Sequence, residues 1–220
     1  MDGKHIRIVA PRKSGAKFYN YKGYYSIVLM ALVGPNYEFL FVDVGKNGRL
    51  ADGGVIEGTS FYMKLKDGSL NLPSNDKTKY HLNFVFLGDE AFALHKNFLK
   101  PYPNCDIDHQ KRVFNYRVSR GRNVAEDAFG IITNRFGVLQ KPISMKHENV
   151  CYVILAICSL HNYLRRHSPT YLNIESNTTS TITTRNTRQV PFQMEGFEAV
   201  PEHNNSDEAT TNRDQYKFFF

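Results

Sequence analysis

The chain has 220 residues, 41% of them hydrophobic, and a net charge of +7. That supports one domain with a substantial core and excludes two large ones. Cys105, Cys151 and Cys158 have neither a disulfide framework nor a zinc-ligand spacing, and the longest apolar run, Val150 to Leu160, is well short of the ~20 residues a membrane helix needs.

In chain order, Lys4 to Ala10 partly alternates, with Ile6 and Ile8 on one side, as a half-buried strand does. Tyr19 to Val33 is dense in strong β formers. The turn Gly34-Pro35-Asn36 leads straight into a third strand, Phe39 to Val44. Three successive strands with a tight turn between the last two predict an antiparallel meander. Asp52 is a good N-cap for a helix running to about Lys66. Polar, turn-rich residues 67–79 follow. The strand Leu82 to Leu87 then ends in Gly88-Asp89, and its apolar run from Phe84 suggests a central strand buried on both faces.

Residues 95–118 read as loop-heavy and basic, broken by Pro101, Pro103 and Asn104. Val124, Ala128, Ile131, Ile132 and Phe136 recur at helical spacing in a helix expected from Ser119 to Phe136. A second helix, Lys146 to Arg166, is apolar almost all round and should be buried. Beyond Tyr171 the chain turns to Thr, Asn and Ser, so 173–220 is expected to be a mostly disordered acidic tail, with the aromatic end free to dock back. The order β-β-β-α-β-α-α predicts an α/β fold, one mixed sheet covered by helices over residues 1–172.

Charge is uneven along this plan. Residues 173–220 hold four basic and seven acidic groups, leaving +10 on residues 1–172. A basic body suits a polyanion such as nucleic acid, and it also suits a merely solvated surface; charge alone does not separate the two. Between Phe92 and Lys146 ten Lys or Arg stand against four Asp or Glu. Lys111, Arg112, Arg117, Arg120 and Arg122 are the candidate phosphate contacts, interleaved with Phe114, Tyr116 and Phe129. Phe129 itself reads better as core.

Three carboxylates stand where the predicted order would gather them. Asp2 opens the first strand, Asp89 ends the fourth, and Glu126 lies on the helix after the basic loop. Hydrolysing a phosphodiester requires charge stabilisation on both the attacking and the leaving oxygen, which a pair of divalent cations supplies. Hard cations such as Mg²⁺ take oxygen ligands, so a few carboxylates suffice. The bland alternative is a strand-end Asp and a solvated helix Glu. Neither a metal-ligand histidine spacing, nor a nucleophile elbow, nor a P-loop is present.

The segments MDGKHIRI, DGGVIEG, FLGDEAFAL, LKPYP, FNYRVSRGRNVAEDAFGIITNRFGVL and CSLHNYL, in this order, resemble the DDE superfamily endonucleases of the PIF/Harbinger transposases and their domesticated nuclease derivatives. The resemblance runs from Asp2 to about Leu164, and the closing YKFFF is similar to the family's aromatic end. It implies an RNase H-like fold and Asp2, Asp89 and Glu126 as the catalytic, metal-binding triad, with Asp52 beside them as a further metal-binding candidate. It also implies Mg²⁺ or Mn²⁺ as cofactor, DNA as substrate, nuclear work and a Myb-like partner protein. Members usually carry a helical DNA-binding region before the first Asp. The chain starts at Met1, so the reading allows either an active endonuclease or a truncated or domesticated binding module.

Overall fold

A computed structural model describes residues 1–50, 52–78, 80–105, 107–172 and 207–219, with Asp52, Gly53 and Lys77 described by backbone alone. The meander is present as β1 (Asp2–Arg7), β2 (Ser26–Val33) and β3 (Phe39–Asn47), in the order β1-β2-β3 and antiparallel throughout. Asp2 pairs with Ala31, Lys4 with Leu29 and Ile6 with Ile27.

Strand β2 is the central one. Ile27, Val28, Leu29, Met30 and Ala31 are all 0% exposed, which requires cover on both faces. Ile27, Leu29 and Ala31 pack with Ile6, Phe129, Ile132 and Ile154 in one cluster. Val28, Met30 and Leu32 pack with Val55, Ile56, Phe61 and Leu65 in another. The sheet therefore has helices on both sides: α1 (Asp52–Glu57) and α2 (Ser60–Lys66) on one, α3 (His109–Arg135) and α4 (His147–His167) on the other.

Five expectations change, the first being that α4 keeps an outer face, with Tyr152, Leu160 and Tyr163 exposed, where burial almost all round was expected. The helix foreseen from Asp52 to Lys66 breaks in two, because Thr59 restarts it: its hydroxyl donates to Ile56 O (2.7 Å) and accepts from Tyr62 N (3.2 Å). The strand expected over 82–87 shortens to β4 (Phe86–Leu87), which pairs in parallel with β5 (Phe98–Leu99) and is not the centre of a larger sheet. Its link to the meander is the Met1 backbone nitrogen, which donates to Leu87 O at 2.6 Å. Helix α3 starts ten residues before the expected Ser119, since Asp108 caps it by accepting from Lys111 N at 2.7 Å. Phe114 and Val118, in the stretch expected to be loop, continue its buried stripe. Finally, Asp207–Phe219 forms a helix, α5, with Ala209, Asn212 and Arg213 buried. Tyr102 donates to Asp214, Tyr216 donates to Asn83 O and Asn212 donates to Lys96 O, and Ala209 joins the cluster of Phe114 and Val118. The remaining tail expectation, on 173–206, lies outside the described residues.

Helix α4 is fastened to the β2–β3 turn by its C-terminal half. His161 is 0% exposed, with Nε2 2.8 Å from Tyr37 O and Nδ1 2.9 Å from the Tyr171 hydroxyl. Asn162 donates to Phe39 O and accepts from Phe39 N, both at 2.8 Å. Arg165 reaches Asn36 O, and Arg166 grips Glu38 with two nitrogens. Truncating Asn162→Ala strands both backbone groups of Phe39, and the expected loss is about 1–3 kcal/mol, read from the urea midpoint.

On β1, His5 Nδ1 lies 2.9 Å from Ser26 Oγ, which also accepts from Asn20. Burial, with help from the Lys22 charge, pushes the His5 ring down to about 4. The unfolded chain takes up this proton first, near pH 6.5. Stability from His5 is therefore complete above about 6.5 and is lost as the pH falls towards 4. Ring NMR should give His5 a titration midpoint near 4; a midpoint near 6.5 would contradict this placement.

Candidate active site

Asp2 stands at the start of β1, with Lys4 and Ile6 following on the same face by strand alternation. Ile6 enters the core beside Phe129, and the Lys4 ammonium lies 6.0 Å from the Phe129 ring. That face looks towards α3. Burial is the main cause raising the Asp2 pKa; Arg122 and a backbone bond from Gly3 oppose it, and the charges of Asp89 and Glu126 add to it. Asp2 thus feels the charges of both other carboxylates named from the sequence, although these come from the β4 exit and from α3.

Close packing at two glycines sets this arrangement. At Gly88 a Cβ would sit 2.4 Å from Phe98 and 2.5 Å from Phe92, both almost wholly buried rings. Only glycine fits where β4 passes over them and delivers Asp89. Asp89 then folds its own turn, accepting from Ala91 N at 3.0 Å. At Gly121 a Cβ would meet a Leu87 methyl at 2.5 Å, so α3 lies directly against β4. Glu126, five residues on, is exposed on α3.

Arg122 is where sequence and structure part. By sequence it is a candidate phosphate contact, yet its side chain is only 17% exposed and its Nη2 lies 3.7 Å from Asp2 Oδ1, itself 15% exposed. The cause is helical phase. Arg122 lies three residues before buried Ala125 and seven before buried Phe129, which puts it on the buried stripe of α3 and one turn before Glu126. Lys111 also turns inward, with its ammonium 5.6 Å from the Tyr102 ring. Arg112, Arg117 and Arg120 remain exposed, and Arg120 lies over the ring of exposed Tyr116. Lys4 is a site neighbour that the sequence reading missed; strand alternation from Asp2 was the available signal.

Three carboxylates, with Asp2 mostly buried and Glu126 exposed, suit a hard divalent cation in chemistry and charge. They do not form a ready ligand cage: among the described residues no three His, Cys, Asp or Glu side chains are grouped to hold a metal ion. Arg122 supplies positive charge beside Asp2, and Lys4 and the Met1 amine add to it. The Asp52 side chain lies outside the described residues. No described helix is long and apolar enough to cross a membrane.

The family described as DDE superfamily endonuclease matches residues 1–162. The Arabidopsis thaliana protein named ALP1-like is 30% identical over 145 residues, covering 64% of this chain and 35% of its own length. The human protein named Putative nuclease HARBI1 is 24% identical over 170 residues, 76% of this chain and 45% of that protein. Its mouse counterpart is 25% identical over 166 residues, 74% and 44% of the two chains. The chain thus spans less than half the length of these curated relatives. No solved structure matches. The family match takes in β1 with Asp2, the β4 exit with Asp89 and the α3 turn with Arg122 and Glu126, and the chain belongs to the DDE superfamily endonucleases.

Proposed function

We propose that this chain is the catalytic region of a DNA endonuclease of the Harbinger transposase type, with Asp2, Asp89 and Glu126 as the residues that would hold Mg²⁺ or Mn²⁺. The observation that carries this reading is the endonuclease-family match over residues 1–162, which takes in Asp2, Asp89 and Glu126, together with the mostly buried Asp2 carboxyl at the start of β1. Like charges are tolerated in such a place when a cation is to share them. Membership of the endonuclease family and similarity to HARBI1 and ALP1-like proteins support the substrate class. We read the meander with helices on both faces, and β4 beside the start of β1, as an RNase H-like core. Asp52, by its place in the family pattern, belongs to the neighbourhood of the site.

Bound there, the cations would stabilise charge on the attacking and leaving oxygens of the phosphodiester. The protein's own part is positional. Gly88 and the Phe92–Phe98 pair hold Asp89, the β1–β2 register holds Asp2, and α3 holds Glu126. Exposed Arg112, Arg117 and Arg120 on α3 would bind the DNA backbone without reading sequence. The proposal includes a nuclear location and a Myb-like protein partner.

A second reading is favoured by the Arg122–Asp2 contact and by the absence of a ready ligand group among the described residues. In it the chain keeps the fold and binds DNA or a partner without turnover.

Nicking of supercoiled DNA in Mg²⁺ or Mn²⁺ separates the two. Asp89→Asn keeps the shape of the side chain and removes one charge, and the expected fall in rate is about 100-fold or more. Cleavage surviving a chelator, or surviving Asp89→Asn, contradicts the metal reading; DNA binding with no cleavage under any condition favours the second.

The affinity for DNA should fall steeply with salt, as counterions are released. Replacing Arg112 or Arg120 with Ala should lower the log–log salt slope by about 0.9 for each phosphate contact removed, as measured by fluorescence anisotropy. A slope near zero in the wild-type protein would remove the electrostatic basis for DNA binding.

A further inference from the structure

Arg122 has an unusual combination of features for a surface-helix arginine. Its guanidinium is mostly buried, 3.7 Å from Asp2 Oδ1, a separation that makes an ion pair but exceeds hydrogen-bond length. Its Nε is buried and has no hydrogen-bond partner. A buried donor left unmade is costly, and no close bond compensates at the Asp2 end. Charge therefore holds Arg122 in place, and the charge comes from the acidic cluster. The same helix presents Glu126 one turn later, so α3 carries both the guanidinium paired with Asp2 and a second carboxylate of the triad.

We propose that Arg122 is a built-in counter-ion of the acidic cluster, which a divalent cation must displace from Asp2 in order to bind, so that Arg122 sets the metal affinity of the protein. This rests on the reading of Asp2, Asp89 and Glu126 as metal ligands. Arginine suits the role, because it stays charged at every physiological pH and its weakly hydrated guanidinium tolerates burial better than an ammonium does. A cation entering the cluster meets repulsion from the guanidinium and competition for Asp2. Without the arginine the same carboxylates attract a cation against less opposition, that of Lys4 and the Met1 amine.

The test is calorimetric titration of Mn²⁺ into the full chain, without DNA and independent of cleavage. Arg122→Gln should bind Mn²⁺ roughly tenfold more tightly than the wild type, the scale of one unit charge a few ångströms away and partly screened. Lys141→Gln, which removes a positive charge on an exposed residue outside the site, should leave the affinity unchanged. Binding seen only in Arg122→Gln supports the inference in its strongest form. Equal affinity in the wild type and Arg122→Gln overturns it while leaving the ligand reading standing, and no binding by either overturns both. A second measurement does not depend on the variant folding: the Arg122 Nε resonance of the wild type should shift in step with Mg²⁺ binding, and an unmoved resonance during saturation overturns the inference.

Discussion

Strand β2 has no solvent face, and the placement of everything else follows from covering it. Five consecutive side chains, Ile27 to Ala31, are wholly buried, and because strand side chains alternate, two separate layers of helix are needed to bury them. One layer is α1 with α2; the other is α3 with α4. Pairing with β2 then fixes β1 in register. A slip of one residue would carry Asp2 and Lys4 to the opposite face and Ile6 out of its cluster. The position of the first carboxylate is thus a by-product of core formation.

The second consequence is electrostatic. A carboxylate that β1 turns towards α3 loses hydration, and two more carboxylates nearby make its ionised form less favourable still. The fold answers with Arg122 from α3 rather than with a neutral side chain. Breaking such a partly buried pair by deleting one member leaves the other charge uncompensated. The glycines at 88 and 121 belong to the same solution, since they let β4 and α3 approach closely enough for the charges to interact.

Much of this was legible in the sequence. The meander announced itself through β formers and the Gly34-Pro35-Asn36 turn, and the three carboxylates stood out by their motifs. The full length of α3 was harder to see. Prolines at 101 and 103 and the polar residues that follow made 95–118 look like loop, whereas the cap at Asp108 and the anchor at Phe114 decide otherwise. Arg122 stands seven residues before Phe129, in phase with the core, but its charge beside Arg117 and Arg120 placed it among the candidate phosphate contacts. The Leu82–Leu87 run was apolar enough for a central strand, yet its partner, β5, is two residues long and limits β4 to the same length. Helix α5 was hidden by its composition: Asp207 to Asn212 reads as polar tail, and what stabilises the helix is docking against distant groups at Tyr102, Asn83 and Lys96.

The Asn162 clamp has a further effect, on contact between molecules. Strand β3 is at the edge of its sheet, and an edge strand offers unpaired N–H and C=O groups to any passing chain. At Phe39 both groups are already taken, because the Asn162 amide imitates a neighbouring strand with one donor and one acceptor. A second copy trying to extend the sheet from this end of β3 meets a finished hydrogen-bond pair and the body of α4. The side chain that fastens the helix to the sheet therefore also guards the protein against strand-to-strand self-association there.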